Sequence, residues 1–311
     1  MKGWQLVEFG QPLQLTDRQD PIPGQGEVVL DVKGAGLCHS DVAEMQDQGA
    51  DWMLGKIIGH ELAGIVSAVG PGVTRWAVGD RVAVCPTASR SVPGYMRDGG
   101  FADKHLAPAD DLVAVPDAVG FTLGAMMTDA GMTSYHALMV RGGLTSSMKV
   151  GIIGLGGLGQ IAARVAVIKG ADVHVAEPKP DGWALARRLG VTNVVTDAAE
   201  WENQGFDLVV DYAGFGTTTA AAIKALGFDG TVVVVGLGVR EATLSLGEMV
   251  SRQASLLASR GGTKDDISDL YALVASGELD PAVTEIGFDD IPQGLADLAA
   301  NRVTGRLVAL V

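Results

Sequence analysis

Three short segments of the chain place polar side chains in otherwise apolar surroundings. They contain Cys38 with Ser40 and Asp41, His60 with Glu61, and Asp129. Zinc favours thiolate, imidazole and carboxylate ligands, and a catalytic zinc keeps one position open for water or substrate. Cys38, His60 and Asp129 would suit such a site. Their long spacing is not diagnostic, because each alone also fits a structural role: a packed cysteine, a hydrogen-bonded core histidine and an aspartate cap at a helix end.

A glycine-rich turn lies between two apolar runs of strand length, Val150 to Ile153 and Val173 to Ala176. Its glycines follow the pattern G-x-G-x-x-G and are Gly154, Gly156 and Gly159. After the third glycine, apolar residues recur at three- and four-residue steps, which predicts a helix with one face packed on a sheet. Glu177 closes the second run. In this context the pattern indicates a dinucleotide-binding site.

Each glycine of the turn has a distinct role in that interpretation. The first allows the tight turn, the second lets the backbone approach a pyrophosphate, and the third allows helix and strand to pack closely. The start of the helix offers free N–H groups to the phosphates. Glu177 would bind the adenosine ribose hydroxyls and repel a 2′-phosphate, which favours NAD(H) over NADP(H). The alternative is a glycine-rich turn that binds no ligand.

The remaining predicted elements divide the chain into two regions. Up to about Val115, strand-like runs alternate with turns, which indicates a barrel-like β domain. The segment from Phe121 to Val140 is a predicted helix that carries Asp129 among methionines, where an unpaired carboxylate would be costly. Beyond Glu177, helices and strands alternate as in a doubly wound parallel sheet. Helices are predicted at 183–189, 219–226 and 265–275, and strands at 207–211, 231–235, 255–259 and 305–310, the last of which could rejoin the first domain.

Length and composition limit the class of protein. A chain of 311 residues is long for one core, so two domains are expected. The net charge of −14 argues against a nucleic-acid surface, which needs clustered lysine and arginine. No stretch resembles a signal peptide or reaches the roughly 18 apolar residues of a membrane span, so we expect a cytoplasmic protein. With only Cys38 and Cys85, a disulfide framework is not expected.

Several motifs, taken together and in order, resemble those of the zinc-containing medium-chain alcohol dehydrogenases. They are Gly36-Leu37-Cys38-His39-Ser40-Asp41, Gly59-His60-Glu61, Gly79-Asp80-Arg81-Val82, the turn from Gly154 to Gly159, and Gly305-Arg306-Leu307-Val308. The resemblance covers essentially the whole chain. It implies an α/β protein with a doubly wound, parallel-sheet Rossmann domain at residues 131–262 and a GroES-like β-barrel catalytic domain at residues 1–130 and 263–311.

The resemblance implies roles for single residues. Cys38, His60 and Asp129 fall at the ligand positions of one catalytic zinc. Many members of the family have a cysteine where this chain has Asp129, although some bacterial secondary-alcohol dehydrogenases look similar here. An aspartate would give the metal a harder oxygen donor in place of a thiolate.

Other residues resemble catalytic and cofactor-binding positions. Ser40 resembles the hydroxyl that takes the substrate's proton. Asp41 resembles the partner that orients His60, and Glu61 resembles a neighbour or alternate ligand of the metal. The residues expected to contact the cofactor are His39 and Arg306 at the pyrophosphate, together with Thr133, Gly154, Gly156, Gly157, Leu158, Gly159, Glu177, Lys179, Gly236 and Leu237.

The chain departs from the family in three places. A lobe with four closely spaced cysteines usually binds a structural zinc, but it is missing after Cys85, so we expect one zinc per chain and interpret Cys85 as a packing residue. Ala43 replaces a histidine that often ends the proton relay, so the proton from Ser40 would pass to a ribose hydroxyl or to water. Gly182 stands where a basic side chain often flanks the adenine, and Lys179 is expected to substitute for it.

The resemblance implies metal-assisted hydride transfer between NAD(H) and an alcohol or its ketone or aldehyde. The substrate is expected to be a small apolar molecule, with Trp52, Met53, Tyr95 and Met126 in the pocket wall unless they belong to the ordinary core. A zinc-free quinone or activated-alkene reductase is an alternative, since such relatives also lack the lobe. A non-catalytic dinucleotide sensor is another, with Glu61 as a fourth ligand closing a structural metal site.

The sequence also suggests how the chain assembles. The predicted strand 231–235 and the segment 236–239 resemble the edge by which dinucleotide-binding domains of this family pair. An exposed apolar edge strand needs cover, so we expect a homodimer, with a tetramer as the alternative. Neither a nucleic acid nor a membrane is expected as a partner.

Overall fold

The computed structural model describes residues 1–47 and 50–311 and divides into two compact units. The first unit comprises Met1–Ala130, Thr263–Gly277 and Val283–Val311, and the second comprises Gly131–Gly262 and Glu278–Ala282. Residues 278–282, expected in the catalytic domain from the family resemblance, lie in the second unit. The side-chain amide of Gln160 holds them there, because it donates to the carbonyl of Ala282 at 2.9 Å and accepts from the Ala282 N–H at 2.6 Å.

The strands, in chain order, are β1 (Lys2–Gln5), β2 (Gln14–Asp17), β3 (Glu27–Leu37), β4 (Glu61–Val69), β5 (Arg81–Val84), β6 (Lys104–Pro108), β7 (Leu112–Ala114), β8 (Lys149–Ile153), β9 (Asp172–Ala176), β10 (Asn193–Val195), β11 (Phe206–Asp211), β12 (Leu226–Val234), β13 (Ser255–Ala258), β14 (Val283–Gly287) and β15 (Arg306–Leu310). The α-helices are α1 (His39–Glu44), α2 (Phe121–Met126), α3 (Met132–Tyr135), α4 (Gly159–Ile168), α5 (Pro180–Arg188), α6 (Thr217–Ala225), α7 (Leu246–Arg252), α8 (Lys264–Ala275) and α9 (Ile291–Ala299). In the part of the chain that the structure describes, no helix has both the length and the hydrophobicity that crossing a membrane requires.

The first unit is built on a largely antiparallel sheet with the strand order β14-β15-β3-β4-β5-β7, and β6 also pairs with β3. Buried leucines such as Leu30, Leu37 and Leu62 contribute to its apolar core. The sequence predicted a strand ending near Val32, but β3 continues to Leu37. It does so because its last residues pair with β4 on one side and with β15 on the other. The closing strand β15 therefore rejoins the first unit, as predicted.

The second unit contains a parallel sheet with the order β10-β9-β8-β11-β12-β13, which confirms the doubly wound arrangement. Strands β8 and β11 are neighbours although β9 and β10 lie between them in the chain. The strand order reverses at this point, and ligands of such sheets bind in the crevice at the carboxyl ends there. The prediction that the strand near Thr231–Val235 forms a sheet edge is wrong, because β12 pairs with β11 on one side and β13 on the other.

The segment predicted as one helix from Phe121 to Val140 is interrupted. Helix α2 is followed by a π-helical stretch, Met127–Gly131, then by α3 and a further π-helical stretch, His136–Arg141. A π-helical turn accommodates an extra residue and is frequent at functional sites. Asp129 lies in the first of these stretches. Hydrophobic periodicity did not reveal the insertion, since the apolar residues around it are buried on all sides.

Cys85 lies in the first unit and is 1% exposed. Its Sγ is 3.6 Å from the hydroxyl oxygen of Thr87. Burial raises the pKa of the Cys85 thiol, so the thiolate is disfavoured. This environment agrees with the interpretation of Cys85 as a packing residue.

Candidate active site

The three residues predicted as metal ligands meet in the first unit. One ligand atom from each of Cys38, His60 and Asp129 lies within 4.8 Å of the others. Cys38 follows the end of β3 and His60 precedes the start of β4. These strands are antiparallel neighbours with Gly36 opposite Glu61, so the two ligands are brought to the same edge of the sheet. Asp129 reaches them from the π-helical stretch.

Asp41 connects two of the candidate ligands, Cys38 and His60. Its side chain is fully buried; one oxygen accepts the Cys38 backbone N–H at 2.8 Å and the other lies 3.0 Å from Nδ1 of His60. With Nδ1 engaged in this way, Nε2 of His60 faces Asp129, whose Oδ2 is 3.4 Å away. A carboxylate on the far nitrogen fixes the ring orientation and tautomer of a metal-binding histidine. The position of Asp41 therefore suits the orienting role predicted for it.

The charges of this cluster suit a cation. Burial lowers the pKa of His60, but the carboxylates of Asp41 and Asp129 outweigh it and hold the pKa well above its usual range. Burial raises the pKa of Asp129, but the charges of His60 and Arg306 and a hydrogen bond from Cys38 hold it below its usual range. The carboxylates of the cluster thus stabilise a positive charge that lies between the candidate ligands. With a thiol, an imidazole and a carboxylate as donors, the set fits a zinc ion.

Glu61 and Arg306 form a buried ion pair beside the ligands. The Arg306 guanidinium donates to both Glu61 oxygens, and its Nη2 also donates to Oδ2 of Asp129 at 2.9 Å. Burial raises the pKa of Glu61 to about 7, although Arg306 opposes the shift. Gly36 makes room for the pair, because a Cβ there would lie 2.1 Å from a Glu61 oxygen. Sequence reasoning assigned Arg306 to the cofactor pyrophosphate and did not detect this pairing.

The remaining residues predicted around the metal differ in exposure. Ser40 is exposed, and its hydroxyl is 3.5 Å from Sγ of Cys38. The ring of Tyr95 packs against His60 with centroids 5.7 Å apart. Met53 and Met126 are buried, and Met53 belongs to the core of the first unit. Of the predicted apolar wall, Tyr95 therefore contacts a candidate ligand, while the two methionines are packed inside.

The glycine turn of the second unit has the geometry that dinucleotide binding requires. Gly154 has a φ of +84°, in the region that favours glycine. A Cβ on Gly156 would meet no atom within 4 Å, so this backbone is open to a ligand. A Cβ on Gly159 would lie 1.8 Å from the carbonyl oxygen of Gly154. The three glycines therefore match the roles of turn, ligand approach and close packing.

Glu177 is held beside this turn. Its oxygens accept the backbone N–H groups of Leu155 at 2.8 Å and Lys179 at 2.9 Å, and the side chain is largely buried. A Cβ on Gly182 would lie 2.3 Å from Cγ of Glu177. This contact explains why no larger residue stands at 182. The Lys179 side chain is exposed, so it is accessible at the position where it was expected to replace the missing basic residue.

The other residues predicted to contact the cofactor are distributed over both units. His39, at the start of α1 in the first unit, is exposed. In the second unit, Thr133 is buried in α3, and Leu237 is 83% exposed after the end of β12. Gly157 and Leu158 are partly exposed within the glycine turn, and Gly236 is partly exposed beside Leu237.

Comparison with known proteins identifies the family. Residues 24–117 match the family described as "Alcohol dehydrogenase GroES-like domain", and residues 157–276 match "Zinc-binding dehydrogenase". The chain is also 30% identical, over 340 aligned positions that cover 100% of both proteins, to an alcohol dehydrogenase of Geobacillus stearothermophilus. The chain belongs to the medium-chain, zinc-type alcohol dehydrogenase family.

Solved structures of similar proteins have the same fold as this alcohol dehydrogenase family member. An acetophenone reductase from Geotrichum candidum, solved in complex with NAD, has a TM-score of 0.91 at 30% identity, covering 100% of this chain and 97% of that one. An alcohol dehydrogenase from the archaeon Aeropyrum pernix has a TM-score of 0.92 at 26% identity, covering 100% of both chains. The predicted combination of a GroES-like and a Rossmann-like domain is therefore confirmed.

The glycine turn generates a prediction that separates folding from ligand approach. In this family member, Gly159→Ala should lower the free energy of unfolding by about 1–3 kcal/mol or more, because its Cβ would overlap a backbone carbonyl. Gly156→Ala should change it by no more than about 0.5 kcal/mol but should weaken NADH binding, because the methyl group enters the open space. Urea unfolding and NADH fluorescence titration measure the two effects. Unchanged NADH binding by Gly156→Ala would contradict the assignment of this turn to the pyrophosphate.

Proposed function

We propose that this protein is a zinc-dependent oxidoreductase that transfers a hydride between NAD(H) and an apolar alcohol or its ketone or aldehyde. The convergence of Cys38, His60 and Asp129 in one cluster, with Cys38 and His60 buried and Asp129 partly exposed, carries the proposal. The similarity to alcohol dehydrogenases and to a ketone reductase solved with NAD supports the substrate class and the cofactor. The proposed partners are therefore a small organic substrate, one zinc ion per chain and NAD(H).

When bound by these three residues, zinc would supply Lewis acidity at the substrate oxygen, while NAD would accept or return the hydride. The residues of the chain prepare the site for this chemistry. Asp41 keeps Nδ1 of His60 engaged, so Nε2 remains the ligand atom. The Ser40 hydroxyl takes the substrate's proton at Oγ. Because Ser40 is exposed and Ala43 supplies no histidine, water can carry that proton onward.

Arg306 balances the charge of the carboxylates behind the ligands. Arg306 is 3% exposed, and its guanidinium pairs with Glu61 and Asp129. These pairings support charge balance as the role that we propose for Arg306. The contact with the cofactor pyrophosphate, assigned to Arg306 from the sequence, stays a prediction. We propose that Glu61 lies beside the metal and that Arg306 holds the Glu61 carboxylate in place.

The competing functions fit these observations less well. A zinc-free quinone or alkene reductase has no need for a thiol, an imidazole and a carboxylate that converge. A sensor with a closed metal site would need Glu61 as a fourth ligand, yet its carboxylate is paired with Arg306. Measuring bound zinc together with NADH oxidation across a panel of ketones distinguishes all three functions.

The first prediction concerns Asp129. The unmodified protein should contain one zinc per chain by elemental analysis. Asp129→Asn removes a negative charge from the donor set and should lower zinc affinity by about two orders of magnitude, with a parallel loss of ketone reduction. Asp129→Cys supplies the family's commoner donor and should retain zinc.

A matched control is Asp117→Asn, which removes a fully exposed aspartate from the same unit and should leave zinc content and turnover unchanged. If Asp129 only capped the helix, Asp129→Asn would cost about 0.5–2 kcal/mol of stability and nothing else. A zinc-replete and fully active Asp129→Asn protein would therefore remove Asp129 from the site.

The second prediction concerns the choice of cofactor. We propose that Glu177 makes NAD(H) the preferred cofactor, because its fixed carboxylate would accept the ribose hydroxyls and repel a 2′-phosphate. Glu177→Ser should reduce or reverse the ratio of kcat/KM for NADH over NADPH. Asp172→Ser, at the opposite end of the same strand β9, removes an equal charge and should leave the ratio unchanged. Equal efficiency of the unmodified enzyme with both cofactors would refute the proposal.

The third prediction concerns assembly. We propose a homodimer through the second unit, where β13 is an edge strand and two side chains one helical turn apart on α7, Leu246 and Val250, are 74% and 80% exposed. Val250→Glu should weaken the dimer in sedimentation equilibrium. Val78→Glu, at an exposed apolar position of the first unit, should not. A monomer at every concentration of the unmodified protein would overturn the proposal.

A further inference from the structure

A buried carboxylate at the end of β11 has no role in the function proposed so far. Asp211 is 0% exposed. It accepts hydrogen bonds at 2.8–3.0 Å from the backbone N–H groups of Ala213 and Gly214 and from the hydroxyls of Thr218 and Thr219. The carboxylate therefore ties the turn that leaves β11 to the first turn of α6.

The backbone of Asp211 extends this connection to the next strand. Its carbonyl oxygen accepts the N–H groups of Val235 and Gly236, each at 3.0 Å. The two turns pack so closely that a Cβ on Gly214 would lie 1.9 Å from the carbonyl oxygen of Gly236. One residue thus fixes the turn after β11, the start of α6 and the segment that follows β12.

These turns lie at the carboxyl ends of the parallel strands, beside the point where the strand order reverses. A Cβ on Gly154, in the turn after the neighbouring strand β8, would be 3.6 Å from the Cβ of Ala213. A doubly wound sheet binds a dinucleotide across this crevice, with one mononucleotide on each half. Glu177 places the adenosine on the half that contains β9. The half that contains β11 and β12 is left for the nicotinamide mononucleotide.

We propose that Asp211 is a positioning residue that holds the nicotinamide half of the cofactor site in its binding geometry. This inference rests on the proposed function, because it requires NAD(H) as the cofactor. Asp211 does not contact the cofactor itself; it acts through the turns at Ala213–Gly214 and at Gly236. Loss of its carboxylate should therefore disturb nicotinamide binding and leave adenosine binding intact.

A carboxylate suits this position because donors approach both of its oxygens. Asp211→Asn keeps the shape but replaces one acceptor oxygen by an NH₂ group, which would face the hydroxyls of Thr218 and Thr219. Those donors would lose their acceptor inside a buried site, where an unpaired group is costly. The turn and the helix start would then separate or rotate.

The experiment compares two ligands in the full-length protein. For Asp211→Asn, the Kd of NADH should rise about tenfold to a hundredfold, the change expected from losing a charge-assisted buried hydrogen bond. The Kd of ADP, which lacks both the nicotinamide and its ribose, should stay unchanged. Asp207→Asn is the matched control, because Asp207 lies near the other end of β11 and accepts the Lys149 N–H at 2.7 Å. It should bind both ligands like the unmodified protein.

A second pair of variants keeps the test valid if Asp211→Asn fails to fold. Thr219→Val removes one hydroxyl donor and should weaken NADH binding in the same selective way, whereas Thr219→Ser keeps the hydroxyl and should restore it. Equal weakening of NADH and ADP binding, or no change in either, would overturn the positioning role. An unmodified protein that binds ADP but not NADH would instead overturn the proposed function.

Discussion

The candidate metal site depends on the buried carboxylate of Asp41. It binds the backbone N–H of Cys38 and Nδ1 of His60 at the same time, and so joins the end of β3 to the start of β4. The pairing of these two strands brings the segments together, but it does not fix the direction of an imidazole ring. Asp41 supplies that missing constraint. The orientation of His60 toward Asp129 therefore follows from the side chain of Asp41, which is not itself a candidate ligand.

The cluster around Asp41 concentrates charge that would be unfavourable without compensation. Asp41 and Glu61 are 0% exposed, and the desolvation of a charge costs several kcal/mol even in a real protein interior. Arg306 and His60 supply the opposite charges. A buried ion pair is weak evidence for stability, because apolar residues of similar volume often serve the fold as well or better. The presence of so many ionisable groups in one place is therefore better explained by chemistry than by folding.

The features predicted correctly from the sequence depend on local patterns. The glycine turn between β8 and α4 could be recognised because its spacing, its flanking apolar runs and Glu177 all lie within one short segment. The alternation of helices and strands likewise indicated the doubly wound sheet. The three candidate ligands were harder to assign, because their types suggested zinc but only the family resemblance singled them out. Their meeting point depends on strand pairing between distant segments, which no local pattern encodes.

The features that sequence reasoning missed all depend on contacts across the fold. Arg306 follows Gly305 in a recognisable motif, yet its partner Glu61 is 245 residues away, and nothing near Arg306 indicates that pairing. The interruption around Asp129 was missed because buried apolar residues surround it on every side, which hides a change of helical period. The edge of the parallel sheet was predicted at the wrong strand. The short strand β13 pairs with β12 and forms the edge instead, which only the strand order reveals.

Glycine beside a buried carboxylate is a feature that the two units share. Gly36 leaves the space that Glu61 occupies, and Gly182 leaves the space that Glu177 occupies. In each case a methyl group would overlap the acidic side chain, so the glycine is required by packing against a charged neighbour and not by its own backbone conformation. A carboxylate aimed at a ligand must be held rigidly, and rigid burial requires a cavity of its own shape. The two glycines reach their partners differently, since Gly36 lies opposite Glu61 in the register of β3 and β4, whereas Gly182 approaches Glu177 from the start of α5.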